Sequence, residues 1–280
     1  MMKNFVGKSY NKIFNSLKGS GLSKYNNVRK IHRFATQQFK SEFVDVYGFK
    51  FYLGPEDGIL STGDFYKNSY FDLLEKEIQI GEHVVDIGAK IGMYTLVFSK
   101  LVGSTGKVFS FEPTPKSFEI LRKNKITNSL DNVIIEQKAV TDKNQREMLE
   151  LLEFDGLNRI NNTCENGIPV DCVSLDKYFL GCEKSLSLMK IDVEGSEPRV
   201  FSGMKNILEE NKKIKFLFEY NPKLIAFSNT KPEKILENLS DMGFSLFDLE
   251  KDYDSEVNPE YFVENYHNTS KLTNIFAKQK

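Results

Sequence analysis

Residues 84–95 read VVDIGAKIGMYT, and this stretch decides the fold. A β-branched run ends in an acid, Asp86, and is followed by two glycines, Gly88 and Gly92. Glycine lets backbone approach a ligand closely, and the helix that follows turns its positive end toward negative charge. A strand, a glycine loop and a helix in this order open a βαβ unit. A plain tight turn between strand and helix is the alternative, so the neighbouring segments have to be read with it.

Outward from this loop the chain keeps a regular rhythm. HVVDIGA (83–89) reads as a buried strand and MYTLVFSKLV (93–102) as a helix. KVFSFEP (107–113) is a strand. PKSFEILRKNKITNS (115–129) is a helix capped by Thr114, with Pro115 at its first position, where a missing N–H costs nothing. NVIIEQKAV (132–140) reads as a third strand, LSLMKIDV (186–193) as a fourth and KIKFLFEY (213–220) as a fifth. After the fourth strand, Val200, Phe201, Met204, Ile207 and Leu208 mark one face of a helix. TKPEKILENLSDMG (230–243) reads as a helix with a capping box from Thr230 to Glu233 and Gly243 at its end. FSLFDLE (244–250) and TNIFAKQ (273–279) close the chain as strands. The sum is a doubly wound α/β fold, Rossmann-like, with seven main strands in a mostly parallel sheet.

Three segments stand outside this rhythm. FVDVYGFKFYL (43–53) alternates as a hairpin, and DLLEKEIQ (72–79) reads as a short helix. Residues 141–185 form an insertion over the sheet, with MLELLEF and PVDCVSL as extra strands. Residues 1–42 form a basic helical extension, in which Val6, Tyr10, Ile13, Phe14 and Leu17 follow a helical period. The expected organisation is therefore the extension at 1–42 and one domain from 43 to 280.

Composition excludes several classes. Apolar residues make up 40% and charged residues 28%, an ordinary globular balance. No run of about 18 apolar residues is present, so no transmembrane helix is expected. The start lacks the apolar core and small-residue cleavage site of a secretory signal. Cys164, Cys172 and Cys182 are odd in number and follow no metal spacing, which suits reduced thiols and a cytoplasmic protein. The net charge of −1 hides an asymmetry: residues 1–40 hold nine Lys/Arg and no Asp/Glu, while the rest is acidic. A basic amphipathic helix lies on the inner face of an anionic membrane or on a partner, or packs over the domain edge with its lysines in water. A mitochondrial transit peptide is a third reading, against which serine and arginine are sparse. The acidic body argues against a nucleic-acid partner.

The loop spacing selects a ligand. A dinucleotide fingerprint from Gly88 needs glycines at 90 and 93, where this chain has Lys90 and Met93. A phosphate-binding P-loop also fails. An acid two residues before the first glycine suits a ligand with a cationic, amine-bearing end. Glu112 lies 24 residues past Gly88, near the offset at which an acid grips ribose hydroxyls. Together they point to S-adenosylmethionine. An NAD-linked oxidoreductase and a non-catalytic binding module are the rival readings.

VVDIGAKIGMYT, FSFEPTPKSFEILRKN, QKAVTD, SLDKYF and LMKIDVEGSEPRVFSGM in this order resemble the FkbM-type methyltransferase family. The resemblance runs from about residue 43 to the end. It implies a class I methyltransferase fold with the last strand inserted antiparallel. It further implies S-adenosylmethionine as methyl donor and a hydroxyl on a sugar, glycan or small tailored metabolite as acceptor. Carried over by position, Asp86, Gly88, Ala89 and Gly92 would form the methionine and ribose side, and Glu112 with Pro113 would hold the ribose. Lys138, Ala139 and Val140 would frame the adenine. Asp192 and Glu194 would face the methyl group and acceptor. The family commonly has asparagine at the position of Lys90, which either pairs with the donor carboxylate or contributes only its backbone. It also commonly has an acid after an aromatic upstream, where this chain has SYFDLL (69–74).

An alcohol acceptor must lose a proton, so a general base is expected. His32, His83 and His267 all fall away from the carboxyl ends of strands. Strand alternation gives Asp192 and Glu194 the same facing, so Asp192 is the expected base or orienting group and Glu194 either supports it or holds the donor. The pair could also hold a divalent cation, or Glu194 could cap the following helix. Glu219 either borders the acceptor pocket or pairs with a lysine, and Asp64, Phe65 and Tyr66 are read as a lid.

Overall fold

The computed structural model describes residues 42–54, 70–152, 158–182, 185–251, 253–267, 269 and 271–280. The basic extension, His32 and the lid residues Asp64, Phe65 and Tyr66 lie outside the described residues.

A hairpin opens the described chain, β1 (Phe43–Val46) and β2 (Phe49–Tyr52), turning at Tyr47 and Gly48 with both φ positive. Then come α1 (Phe71–Glu77), β3 (His83–Ile87), α2 (Met93–Val102), β4 (Lys107–Phe111), α3 (Pro115–Thr127) and β5 (Val133–Glu136). The insertion contributes β6 (Ala139–Val140), β7 (Arg146–Glu150), β8 (Arg159–Ile160), β9 (Gly167–Val173) and the single turn α4 (Leu175–Tyr178). The rhythm resumes with β10 (Leu188–Ile191), α5 (Glu197–Ser202), α6 (Lys205–Glu210), β11 (Lys215–Tyr220) and α7 (Pro222–Ala226). It ends with α8 (Glu233–Asp241), β12 (Phe244–Asp248), β13 (Glu256–Val257), α9 (Pro259–Tyr266) and β14 (Thr273–Gln279).

The main sheet runs β13-β12-β14-β11-β10-β3-β4-β5. From β11 to β5 every pairing is parallel, and β14 enters antiparallel between β11 and β12. This is the Rossmann-like class I methyltransferase topology expected from the sequence. An eighth strand, β13, adds two residues at the edge; a two-residue bridge has no periodicity to read. Helices cover both faces, so the central strands are buried on both sides and read as continuous apolar runs. Alternate residues enter opposite cores: Val85, Ile87, Met189, Ile191, Phe216 and Phe218 pack on one face. Val84, Val108, Leu188, Leu217 and Phe276 pack on the other.

Four local expectations are corrected. NVIIEQKAV is not one strand: β5 stays in the main sheet, while Ala139 and Val140 pair with β9 in the insertion sheet β6-β9-β7-β8. The single helix expected after β10 breaks into α5 and α6 at Gly203, where the chain packs so tightly on the insertion that a Cβ would stand 2.3 Å from the Thr141 carbonyl. The Thr230–Glu233 capping box does not form, because α8 starts at Glu233 and the Thr230 hydroxyl donates to the Ser228 carbonyl instead. Thr114 occupies the N-cap of α3 without a side-chain cap bond.

Two polar staples hold the accessory parts. Asn124, fully buried on α3, accepts from Tyr52 N at 2.6 Å and donates to the carbonyls of Tyr52 and Ile91. It ties the hairpin to the glycine loop. Arg199 on α5 donates through both terminal nitrogens to Glu147 at 2.6 and 2.8 Å and through Nε to Asp142 at 2.7 Å. It ties the insertion to the main sheet.

Candidate functional site

Ligands of open α/β sheets bind beyond the carboxyl ends of the strands, where the order reverses. The cavity here lies in that place, past the ends of β3, β4 and β10, with a volume of about 430 Å³. Small-molecule sites fall in this range. Gly88, Ala89, Lys90, Glu112, Pro113, Lys138, Ala139, Val140, Asp192 and Glu194 all line it. Leu149, Arg159 and Ile160 of the insertion form a further wall.

Asp86 and Gly92 stand behind the wall. Asp86 is fully buried, and its Oδ2 accepts from Thr95 Oγ1 at 2.6 Å. Burial raises its pKa above the ordinary value despite the Lys190 charge and the Thr95 bond. Gly92 begins α2 with φ +94°, and a Cβ there would stand 2.5 Å from Leu121. Its role is packing of the loop on α3. Gly88 serves close approach: its φ is +75°, and a Cβ would stand 1.9 Å from the Asp192 carbonyl oxygen. Only a bare backbone lets the ends of β3 and β10 meet there.

Glu112, 5% exposed, organises the loop. Its Oε2 accepts from Lys90 N at 2.9 Å and its Oε1 from Thr114 N at 2.8 Å. Burial raises its pKa, and these bonds oppose the shift. Each oxygen keeps lone-pair capacity for a further donor. Lys90 has φ +52°, the left-handed region that asparagine tolerates better than most side chains. The asparagine common in the resembling family thus has a backbone reason.

Lys190 is the residue the sequence reading missed. A lysine inside the apolar strand LSLMKIDV was the available signal. It is 6% exposed, and its Nζ donates to the Gly88 carbonyl at 3.2 Å. It stands 3.1 Å from Asp192 Oδ2, 4.0 Å from Asp86 Oδ1 and 5.3 Å from the centroid of the Tyr94 ring. Burial works against its charge, but Asp192, Asp86 and Tyr94 together hold its pKa above the ordinary lysine value.

Asp192 and Glu194 both reach the cavity, although not by strand alternation. β10 ends at Ile191, and Glu194 sits in a turn with φ +52°. The turn does what the pleat was expected to do. Nor does Glu194 cap the next helix. Glu197 takes the turn instead, its Oε1 accepting from Val193 N at 3.1 Å and Gly195 N at 3.3 Å. Burial first, then the charges of Asp192, Glu219 and Glu197, raise Glu194 to about 9. Burial likewise raises Glu197 to about 7, and raises Glu219, whose Oε1 has no hydrogen-bond partner among the described residues.

Among the described residues, no group of three or more His, Cys, Asp or Glu side chains is arranged to hold a metal ion. His83 is buried at the opposite end of β3, and His267 bonds the Tyr220 hydroxyl at 2.7 Å. Among the described residues, no helix is long and apolar enough to cross a membrane.

A family model described as the methyltransferase FkbM domain matches residues 86–246. The chain belongs to the FkbM methyltransferase family. A second model, for protein-L-isoaspartate(D-aspartate) O-methyltransferase, matches residues 10–142. One curated FkbM relative is the 31-O-demethyl-FK506 methyltransferase FkbM of Streptomyces tacrolimicus, 28% identical over 166 residues. The match covers 46% of this chain, and the chain spans 62% of that relative's length. Among solved structures, a methyltransferase FkbM from Methylobacillus flagellatus is similar at 14% identity and a TM-score of 0.43, covering 89% of this chain and 59% of that one. A SAM-dependent O-methyltransferase from Thermotoga maritima is similar at 15% identity and a TM-score of 0.44, covering 86% and 78%.

Proposed function

We propose that this FkbM-family chain is an S-adenosylmethionine-dependent methyltransferase acting on a hydroxyl of a sugar or other small hydroxylated acceptor. One observation carries the reading. A single cavity joins the Gly88 loop, the buried Glu112 carboxylate and the Lys190-held Asp192.

The residues fit the methyl donor. Glu112 retains acceptor capacity suited to a ribose diol. Phe111, Ala139 and Val140 offer an apolar wall for a purine. The Gly88–Ala89 backbone leaves room beside it. When bound, S-adenosylmethionine supplies an electrophilic methyl group on a sulfonium. The chain's own work is then positioning and proton removal. Asp192 orients the acceptor hydroxyl and takes its proton. Lys190 fixes the Asp192 carboxylate from behind. Leu149 and Ile160 shield the reacting groups from water.

A lysine in the glycine loop gives no ground for a non-catalytic module, because the Lys90 backbone amide on Glu112 keeps the loop intact whatever its side chain does.

Calorimetry with S-adenosylhomocysteine, followed by transfer of labelled methyl to a panel of sugars and small alcohols, tests the reading. Asp192→Asn should lower kcat by about 10²–10⁴ and leave S-adenosylhomocysteine affinity within about threefold. A wild-type chain that does not bind S-adenosylhomocysteine would overturn it.

A further inference from the structure

The cavity carries an arginine that neither the loop spacing nor the family match assigns. Arg159 comes from β8 of the insertion, and its side chain is 20% exposed. Two contacts fix the plane of its guanidinium. Nε donates to Glu150 Oε2 at 2.9 Å, and Cζ stands 4.3 Å from the centroid of the Phe227 ring. The same Glu150 oxygen also accepts from Asn161 at 3.0 Å. Among the described residues, Nη1 and Nη2 of Arg159 have no hydrogen-bond partner. A guanidinium pinned by one edge and one face presents its remaining N–H groups as a preset fork. That geometry matches a carboxylate or phosphate.

Phe227 tells where the fork lies. It follows α7, whose Leu224 carbonyl packs on Gly195 so closely that a Cβ there would stand 2.4 Å from it. Phe227 and Arg159 therefore meet on the Glu194 side of the cavity. The acids at that end leave room for an anion. Asp192 is already paired with Lys190, and the raised pKa of Glu194 leaves it mostly protonated at neutral pH. Phe227 is itself 66% exposed and offers an apolar face beside the fork.

We propose that Arg159 reads an anionic group on the acceptor, so that the methylated molecule carries a carboxylate or phosphate near its reacting hydroxyl. This rests on the methyltransferase reading given above and narrows its substrate class.

The test uses the full chain saturated with S-adenosylhomocysteine and titrated with three probes: glucuronate, glucose 6-phosphate and methyl glucoside. At least one anionic probe should bind about tenfold or more tighter than the neutral one. Arg159→Gln should erase that preference while S-adenosylhomocysteine affinity and melting temperature stay near wild type. Arg159→Lys, which keeps the charge and loses the fork, should recover only part of it. Comparison of the two anionic arms separates a carboxylate from a phosphate. Equal binding of all three probes, or a preference that survives Arg159→Gln, overturns the proposal and leaves the methyltransferase reading standing. Weakened S-adenosylhomocysteine binding in Arg159→Gln also overturns it, because the arginine would then serve the methyl donor.

Discussion

Lys190 Nζ lies 3.1 Å from Asp192 Oδ2, and the same ammonium donates to the Gly88 carbonyl at 3.2 Å. One buried cation thus fixes the glycine loop and the carboxylate across from it. Lys190→Met keeps the bulk and removes the charge, leaving Asp86 and the Gly88 carbonyl without it. The expected loss of stability is about 3 kcal/mol, at the low end for a broken buried pair because Asp86 can take up a proton. Urea denaturation of Lys190→Met, Asp192→Asn and the double variant measures it. Additive effects would show that the two side chains are not coupled.

The raised carboxyl groups make stability depend on pH. Glu194 at about 9 and Glu197 at about 7 bind protons in the folded state that the unfolded chain has already lost. Their contribution is fully present below the ordinary carboxylate range and is lost as pH rises through about 7 and then about 9. The melting temperature should therefore fall between neutral and mildly alkaline pH. Glu194→Gln, a neutral stand-in, should flatten the alkaline part of that fall. An unchanged slope would contradict the assignment.

The Arg199–Glu147 pair behaves in the opposite sense. Bonding to Arg199, acting against burial, lowers Glu147 to about 2. Its contribution is present above the ordinary carboxylate range and is lost as pH falls toward about 2. Arg199→Met leaves Glu147, with only 1% of its side chain exposed, as a buried unpaired charge. The expected cost is about 3–5 kcal/mol. Limited proteolysis should then cut the insertion first, because Arg199 ties it to the sheet.

Two loop substitutions should part sharply. Gly88→Ala puts a Cβ 1.9 Å from the Asp192 carbonyl oxygen at φ +75°. It should cost more than about 3 kcal/mol, since strain and overpacking combine. Lys90→Asn at φ +52° suits the left-handed backbone and keeps the amide bond to Glu112. It should leave stability within about 0.5 kcal/mol and S-adenosylhomocysteine affinity within about threefold. A larger fall in affinity would mean that the Lys90 side chain holds the ligand.

Much of the architecture was legible because it is periodic. Runs such as HVVDI and MYTLVFSKLV coincide with β3 and α2. Both faces of the central strands are buried, so local hydrophobicity alone marks them. The glycine loop was legible by spacing, and ten of the twelve expected site residues line the cavity: Asp86 and Gly92 are the two that do not. The breaks were not legible. NVIIEQKAV is apolar enough for one strand, and only its pairing with β9 shows that it changes sheets after Glu136.

The sequence by itself determined the order of strands and helices, the glycine loop and the acids at 86, 112 and 192, because each depends on neighbours along the chain. Tertiary structure alone decided which groups meet. Lys190 reaches Gly88 across 102 positions, and Arg199 reaches Glu147 across 52. The Arg159–Phe227 contact joins β8 to the residue after α7. Such pairings follow from strand order and burial, and burial also sets which carboxyl groups hold their protons. Neither is written in local spacing.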